Sequence, residues 1–252
     1  MRWLLLLWLI GGGRAIAAIR ILEVPSPAQL RASTDVMMAG FWRCEGLDAA
    51  QRAAVAGAQL RDYERKFGGG SPHLLRGAVL AAVADGDGGG DAFLGTASLE
   101  LGLFDGRRMK IVDRASAERK VENALADLHP RDRRPLAAMP PEDICGALFE
   151  DSVRVAPLVA NVAVVPSARR AGVGAALVRS CADLAASWGF DELLLEVETA
   201  NAPARALYEA AGFEELWSAP RTTLVVDAGA GPKRGLSQRP GVQHTAMRRP
   251  AR

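Results

Sequence analysis

The sequence is poor in the residues that build metal centres and disulfide frameworks. It holds three cysteines (Cys44, Cys145, Cys181) and three histidines (His73, His129, His244) in 252 residues. The cysteines are far apart and odd in number, which gives neither a CxxC knuckle nor a paired framework. Scattered histidines give no ligand cluster, so no metal is expected. An excess of one charge is also lacking. A net charge of +2 carries no polyanion signal, and nucleic acid is not expected as a partner. With 49% hydrophobic and 24% charged residues, a disordered chain is excluded. Apolar runs of bilayer length are missing, so the mature protein is expected to have no membrane span. Tyrosine occurs only twice, at Tyr63 and Tyr208, which gives each position weight.

The amino terminus stands out by contrast. "MRWLLLLWLIGGGRAIAAIR" has a basic start at Arg2, an apolar run Trp3 to Ile10 and small residues ending in Ala15-Ile16-Ala17. This is the layout of a secretory leader over 1–17 with an A-x-A cleavage site, and a buried amino-terminal strand or helix is the other reading. The remainder, 18–252, has the length of one well-buried domain.

Alternation over Ile19 to Val24 predicts a strand, and Ser26-Pro27 predicts a helix start. The alanine-, glutamine- and arginine-rich stretch Leu47 to Phe67 predicts a second helix. "HLLRGAVLAAVADGD" and "DAFLGTASLEL" read as two strands of a hairpin around Gly86 to Gly90. From Leu103 to Ala156 the pattern breaks into a charged, proline-dotted stretch. It reads as an insertion with little core of its own and one helical piece near Ser116 to Leu128. Order returns at the apolar run Pro157 to Val165, a central strand. The stretch Gly174 to Trp188 follows as a helix with Leu177, Cys181, Leu184 and Trp188 on one face. "DELLLEVETAN" is the next strand, expected to lie parallel to the previous one. Asn201 then caps the helix "APARALYEAAG", with Pro203 in its first turn and Gly212 ending it. "GFEELW" and "VQHTAMRRP" read as closing strands, with a surface loop at about 218–242 between them.

The loop "VPSARRAGVGAALV" joins the central strand to its helix, where unpaired backbone N–H groups and the helix dipole favour an anion. A dinucleotide fingerprint fits Gly172 and Gly174, with Glu196 or Glu198 as the distal acid. It fits poorly, because Leu177 holds the third glycine position and Pro166 to Ala171 separate strand from glycine. A Walker loop is excluded, since no Gly-Lys-Ser/Thr follows. The third reading is R-x-x-G-x-G at Arg169, Gly172 and Gly174.

In that form the segment resembles the GCN5-related N-acetyltransferase (GNAT) superfamily. The order "VAVVPSARRAGVG", helix, "LEVETAN", "ALYEAAGF" is similar to the family's own, and covers about Pro157 to Trp217. The resemblance implies an α/β GNAT fold. It has a central, mixed, mostly antiparallel sheet with splayed parallel fourth and fifth strands and helices on both faces. It also implies acetyl-CoA as co-substrate and a primary amine as acceptor. By the same resemblance, the backbone of Val162, Ala163 and Val164 pairs with the pantetheine arm. The amides of Arg170, Ala171, Gly172, Val173, Gly174 and Ala175 hold the pyrophosphate, with Arg169 and Arg170 adding charge, and Asn201 contacts the cofactor. Tyr208 stands where the family carries the tyrosine that protonates departing CoA thiolate. Glu196 matches the general base of the ribosomal-protein N-terminal-alanine branch, with Glu198 as substitute. A half-buried helical aromatic and a solvated strand glutamate are the plainer accounts of Tyr208 and Glu196.

"LVANVAVVPSARRAGVG" with "SWGF" also resembles plastid-type GNAT enzymes, which carry an insertion before the fourth strand and are associated with protein lysine and N-terminal amines. The leader points to the secretory pathway or the endoplasmic reticulum, or to a plastid reached by a signal-led route. No cysteine is placed as a ping-pong nucleophile, so direct attack is expected. Protein or peptide amines are the first expected acceptor and small amines the second. A non-catalytic acyl-CoA-binding domain is the reading from another class.

Overall fold

A computed structural model describes residues 19–23, 26–42, 47–68, 75–85, 91–227 and 235–250. The leader at 1–17 and the glycine tip Gly86 to Gly90 lie outside the described residues. The described strands form one continuous sheet. Its left half follows the expected plan. The strands β1 (Arg20–Glu23), β2 (Gly77–Asp85) and β3 (Asp91–Asp105) pair antiparallel in sequence. Two helices separate β1 from β2, α1 (Pro27–Gly40) and α2 (Ala49–Phe67), and both are set by local chemistry. Ser26 accepts from the Gln29 amide while the Gln29 side chain accepts from the Ser26 amide; Asp48 and Gln51 repeat the arrangement. Each capping box satisfies two of the orphan donors at a helix start and fixes where it begins.

The right half contains the segment with the strongest sequence signal. Strand β5 (Val153–Val164) pairs antiparallel with β3 and parallel with β6 (Glu192–Glu198), and helix α6 (Val173–Ser187) crosses between them. Helix α7 (Ala202–Ala210) leads into β7 (Glu214–Asp227) and β8 (Gly235–Pro250), which close the sheet antiparallel. All other pairings are antiparallel, so the sheet is the mixed, mostly antiparallel one expected. Its parallel pair is β5 and β6 because β4 (Lys110–Val112) adds one strand to the count.

Helices cover both faces. On one, the α6 residues Val173, Leu177, Val178, Cys181 and Ala185 pack on Ala97 and Leu99 of β3 and on Leu193, Leu195 and Val197 of β6. On the other, Leu30, Val36 and Met37 of α1 and Tyr63 of α2 pack on Val79, Ala81, Val83 and Ala163. The alternation of strand side chains sends successive residues to these two cores.

Two expectations are corrected. The stretch from Leu103 to Ala156 carries core of its own. Strand β3 runs on to Asp105, and α3 (Arg114–Ala126), α4 (Pro130–Ala137) and α5 (Pro141–Leu148) follow. Ala117, Val121, Ile144 and Cys145 are fully buried with Leu75, Leu101 and Leu103. Several partners of this cluster lie in flanking strands, so the stretch read alone shows too few apolar residues. The second correction concerns 218–242, of which 218–227 and 235–242 are strand, not loop. "TTLVV" is a run of β-prone residues. Pro220 is tolerated because β7 is the edge strand, and Pro240-Gly241 falls where the register shifts, with Gly241 at φ 77°.

Truncating Ile144 tests whether the segment belongs to the cooperative core. Ile144→Ala should lower stability by about 2–5 kcal/mol, read from the urea midpoint at constant slope. A loss below about 0.5 kcal/mol would mark the segment as an appendage.

Candidate active site

The parallel pairing of β5 and β6 is short. Leu158 faces Leu194 and Val159 faces Leu195, and no further rung follows among the described residues. On its other edge β5 stays with β3, but the register slips between Thr96 and Ser98, which face Ala163 and Ala160. The extra residue is a β-bulge on β5, and Asn161 sits in it at φ 55°. Asparagine tolerates this left-handed conformation better than most side chains. The bulge turns β5 while β6 continues on to pair with β8, so the two parallel strands part just after Val159.

The parting exposes a strand edge. Val165 donates its N–H to Leu94 on β3 at 2.9 Å, and Ala163 is paired with Thr96 on the same side. Alternation of the backbone groups therefore turns those of Val162 and Val164 toward the gap. Of the three residues expected to meet the pantetheine arm, Ala163 faces β3 instead, and its side chain is buried under α1 and α2.

Beyond Val164 a 3-10 turn, Pro166–Ala168, leads into the glycine loop. Arg170 has φ 65° and Gly172 φ 81°, and α6 begins at Val173. The first intrahelical bond is Ala176 N–H to the Gly172 carbonyl at 3.0 Å, so the amides of Val173, Gly174 and Ala175 lie in the helix's unpaired first turn. These unpaired amides and the dipole's positive end favour an anion at this turn. Gly174 has a packing reason as well. A Cβ there would stand 3.0 Å from Cδ2 of Leu207 on α7, tighter than ordinary contact.

Arg169 is used differently from expectation. Its Nη2 donates to the Gly40 carbonyl at 2.8 Å and its Nε to the Val164 carbonyl at 3.3 Å. The carbonyls at the end of α1 carry the helix's negative partial charge, so the guanidinium ties α1 to the end of β5. Arg170 remains exposed on the loop.

Asn201 caps α7, accepting from the Ala204 amide at 3.3 Å. Tyr208 lies on the α6–α7 face, 8% exposed, with its ring edge-on to Phe213 at 5.8 Å. Burial pushes its phenol well above the usual tyrosine range, so the proton stays on. Cys181 is fully buried, and its thiol is pushed up to about 12, which removes it as a nucleophile at neutral pH.

Glu196 is the first β6 residue after the last parallel rung. It alternates with Leu195 and Val197, so it points to the face opposite Tyr208, as does Glu198. Its Oε1 accepts from both Nε and Nη2 of Arg221 on β7, the Nε bond at 3.0 Å. That partner was missed in the sequence because Arg221 stands in the stretch read as loop.

A second polar group on the same face was also missed. Asn161 Nδ2 donates to Ser98 Oγ at 3.0 Å, and Ser98 Oγ donates to Glu100 Oε1 at 3.2 Å. Ser98 and Glu100 are buried. Burial raises the Glu100 carboxyl, while Lys66 and Arg114 draw it back. Thr96, Ser98 and Glu100 alternate through the otherwise apolar β3, and that pattern is the signal that would have found them.

Backbone conformation at the loop is testable alone, because a Cβ on Gly172 meets nothing within 4 Å. Gly172→Ala should weaken coenzyme A binding by about five- to thirtyfold, the left-handed cost of about 1–2 kcal/mol, in a calorimetric titration. Gly146→Ala, equally open and without positive φ, should leave it unchanged.

Residues 145–213 match the model of the acetyltransferase (GNAT) family. No curated protein matches the chain. Among solved structures, a GNAT-family protein from Desulfovibrio desulfuricans is 16% identical, covers 93% of this chain and 100% of its own, and has a TM-score of 0.50. The acetyltransferase yncA from Salmonella typhimurium, solved with its cofactor acetyl-CoA, is 17% identical over 93% of this chain and 94% of its own, TM-score 0.45. Naa20 from Chaetomium thermophilum, in complex with a bisubstrate analogue, is 18% identical over 91% and 85%, TM-score 0.45. The matched segment spans strand, glycine loop, helix and the following strand and helix, so residues 145–213 are similar to the acetyltransferase (GNAT) family over the part of the chain that holds the site.

Proposed function

We propose that the chain transfers the acetyl group of acetyl-CoA to a primary amine by direct attack, and that a protein or peptide amine is the acceptor. The observation that carries this reading is the parting of β5 from β6 directly upstream of the glycine loop. A thioester cofactor fits it along its length. The pyrophosphate takes the amides of residues 170–175, and the amide-bearing pantetheine arm adds to the β5 edge as a strand would. The thioester then lies where the strands part.

The amine and the sulfur sit on opposite faces of the sheet. The neutral amine attacks the thioester carbonyl from the face that carries Glu196, the carbon–sulfur bond breaks, and the thiolate leaves toward Tyr208. Glu196 takes the amine proton directly or through water, using Oε2, since both Arg221 bonds end on Oε1. Glu198, two residues on, is the substitute base. Tyr208 gives its proton to sulfur, and its raised phenol keeps that proton available across neutral and mildly alkaline pH. The preference for protein or peptide acceptors rests on the likeness of "LVANVAVVPSARRAGVG" and "SWGF" to plastid-type members.

Release of free thiol from acetyl-CoA with a panel of peptides and polyamines tests the reading. Turnover on a peptide is expected, and tight coenzyme A binding without turnover on any acceptor would contradict it. Tyr208→Phe should lower kcat by about a hundredfold or more with coenzyme A affinity held within about twofold. The Tyr208-dependent fall in rate should appear only above the ordinary tyrosine range, because burial raises the phenol and preserves the acid form below it.

A further inference from the structure

The proton acceptor and donor described above leave one requirement unmet. An attacking amine must also be held with its lone pair toward the thioester carbonyl, and a single carboxylate on β6 fixes only one of its hydrogens. Across the parting from Glu196 stand Ala160, next after the last rung, and then Asn161 in the bulge. Leu195 is the last β6 residue paired to β5 and Val159 its partner, so Glu196 is the first residue past the rung on β6, and Asn161 is the first polar side chain past it on β5, after Ala160. Both side chains lie on the face opposite Tyr208: Glu196 by alternation with Leu195, Asn161 by its bond to Ser98, which alternates with Ala97 and Leu99.

The orientation of the Asn161 amide follows from what stands behind it. Ser98 Oγ donates its hydroxyl proton to Glu100 Oε1 at 3.2 Å. Ser98 then has only lone pairs left for Asn161, so Asn161 must turn its NH2 to Ser98. The side-chain carbonyl is thereby directed away from Ser98, and the half-buried Asn161 is accessible at the gap. The anchor is rigid, since Ser98 is fully buried and Glu100 is 6% exposed. Each bond in the chain polarises the next, which leaves the terminal Oδ1 a stronger acceptor.

We propose that Asn161 is a catalytic residue that holds the attacking amine, its Oδ1 accepting an N–H of the acceptor opposite Glu196, with Ser98 and Glu100 as positioning residues behind it. The inference rests on the acetyl-transfer reading and adds to it the group that aims the nucleophile. It also gives a function to a buried acid that a purely structural sheet would not need at this position. The acceptor chemistry selected is an amine that still bears two hydrogens when neutral, one for Oδ1 and one for the base. Primary amines qualify and secondary amines do not.

Two substitutions separate side-chain chemistry from backbone shape. Glycine adopts the Asn161 backbone conformation without strain, and aspartate keeps the side-chain outline but cannot donate to Ser98. The assay uses acetyl-CoA with hexapeptides headed by alanine, serine or methionine, with spermidine, and with an N-methylated copy of whichever peptide turns over. For Asn161→Gly and Asn161→Asp, kcat/KM for the amine should fall about tenfold or more, while the KM for acetyl-CoA and the unfolding midpoint hold within about twofold and 2 °C. Ser98→Ala should show the same split at smaller size, about three- to tenfold. The N-methylated peptide should lose its rate on the wild-type chain, and its penalty should shrink on Asn161→Gly. Wild-type rates for Asn161→Gly, or for Asn161→Asp, would overturn the role of Asn161 while leaving acetyl transfer standing. Absence of turnover by the wild-type chain on every amine would overturn both.

Discussion

Everything at this site depends on two strands that lie side by side for two rungs and then part. A parallel pair that continued would bury its backbone groups in the ladder and leave no edge for a ligand. Here the β-bulge at Asn161 turns β5 with β3 while β6 stays with β8, so each strand keeps one partner and releases one edge. The edge so opened on β5 is a row of donors and acceptors with the spacing of a strand, and a ligand bearing amides in series is its natural complement. The glycine loop at the far end supplies a charge preference that the edge alone lacks, through the first-turn amides of α6 and the left-handed Arg170 and Gly172.

The parting also divides the chemistry between two faces. Tyr208 belongs to the core under α6 and α7, where burial holds its proton, while Glu196 and Asn161 face the side of α1 and α2. In the proposed reaction a thioester drawn through the gap presents sulfur to one face and its carbonyl carbon to the other, and the sheet itself keeps acid and base apart. The ends of this assembly are tied to the rest of the molecule by arginines. Arg169 joins the loop's approach to the carboxyl end of α1, and Arg221 fixes one oxygen of Glu196 from the edge strand β7.

The sequence made the centre of this arrangement legible and its surroundings much less so. From Pro157 to Gly212 every signal is local: an apolar strand, glycines before a helix with a one-sided apolar face, then a cap and a stop. Asn201 and Gly212 perform the capping and stopping roles their positions suggest. What was hidden depends on partners distant in sequence. Ile144 and Cys145 show as core only beside Leu75, Leu101 and Leu103. Arg169 looked like a charge partner for an anion because nothing in its neighbourhood shows Gly40, 129 positions away. The bulge leaves one trace in the sequence, an asparagine inside an apolar strand, and the chain behind it leaves another, the Thr96, Ser98, Glu100 alternation.

The central claim is that the released β5 edge and the glycine loop together receive one cofactor. Amide hydrogen exchange of the full chain with and without coenzyme A tests it most directly. Saturating coenzyme A should slow exchange at Val162 and Val164 together with Val173, Gly174 and Ala175, while Ala163, already paired to β3, changes little. Protection confined to the loop, or spread evenly over β5 without the difference between Ala163 and its neighbours, would contradict the account.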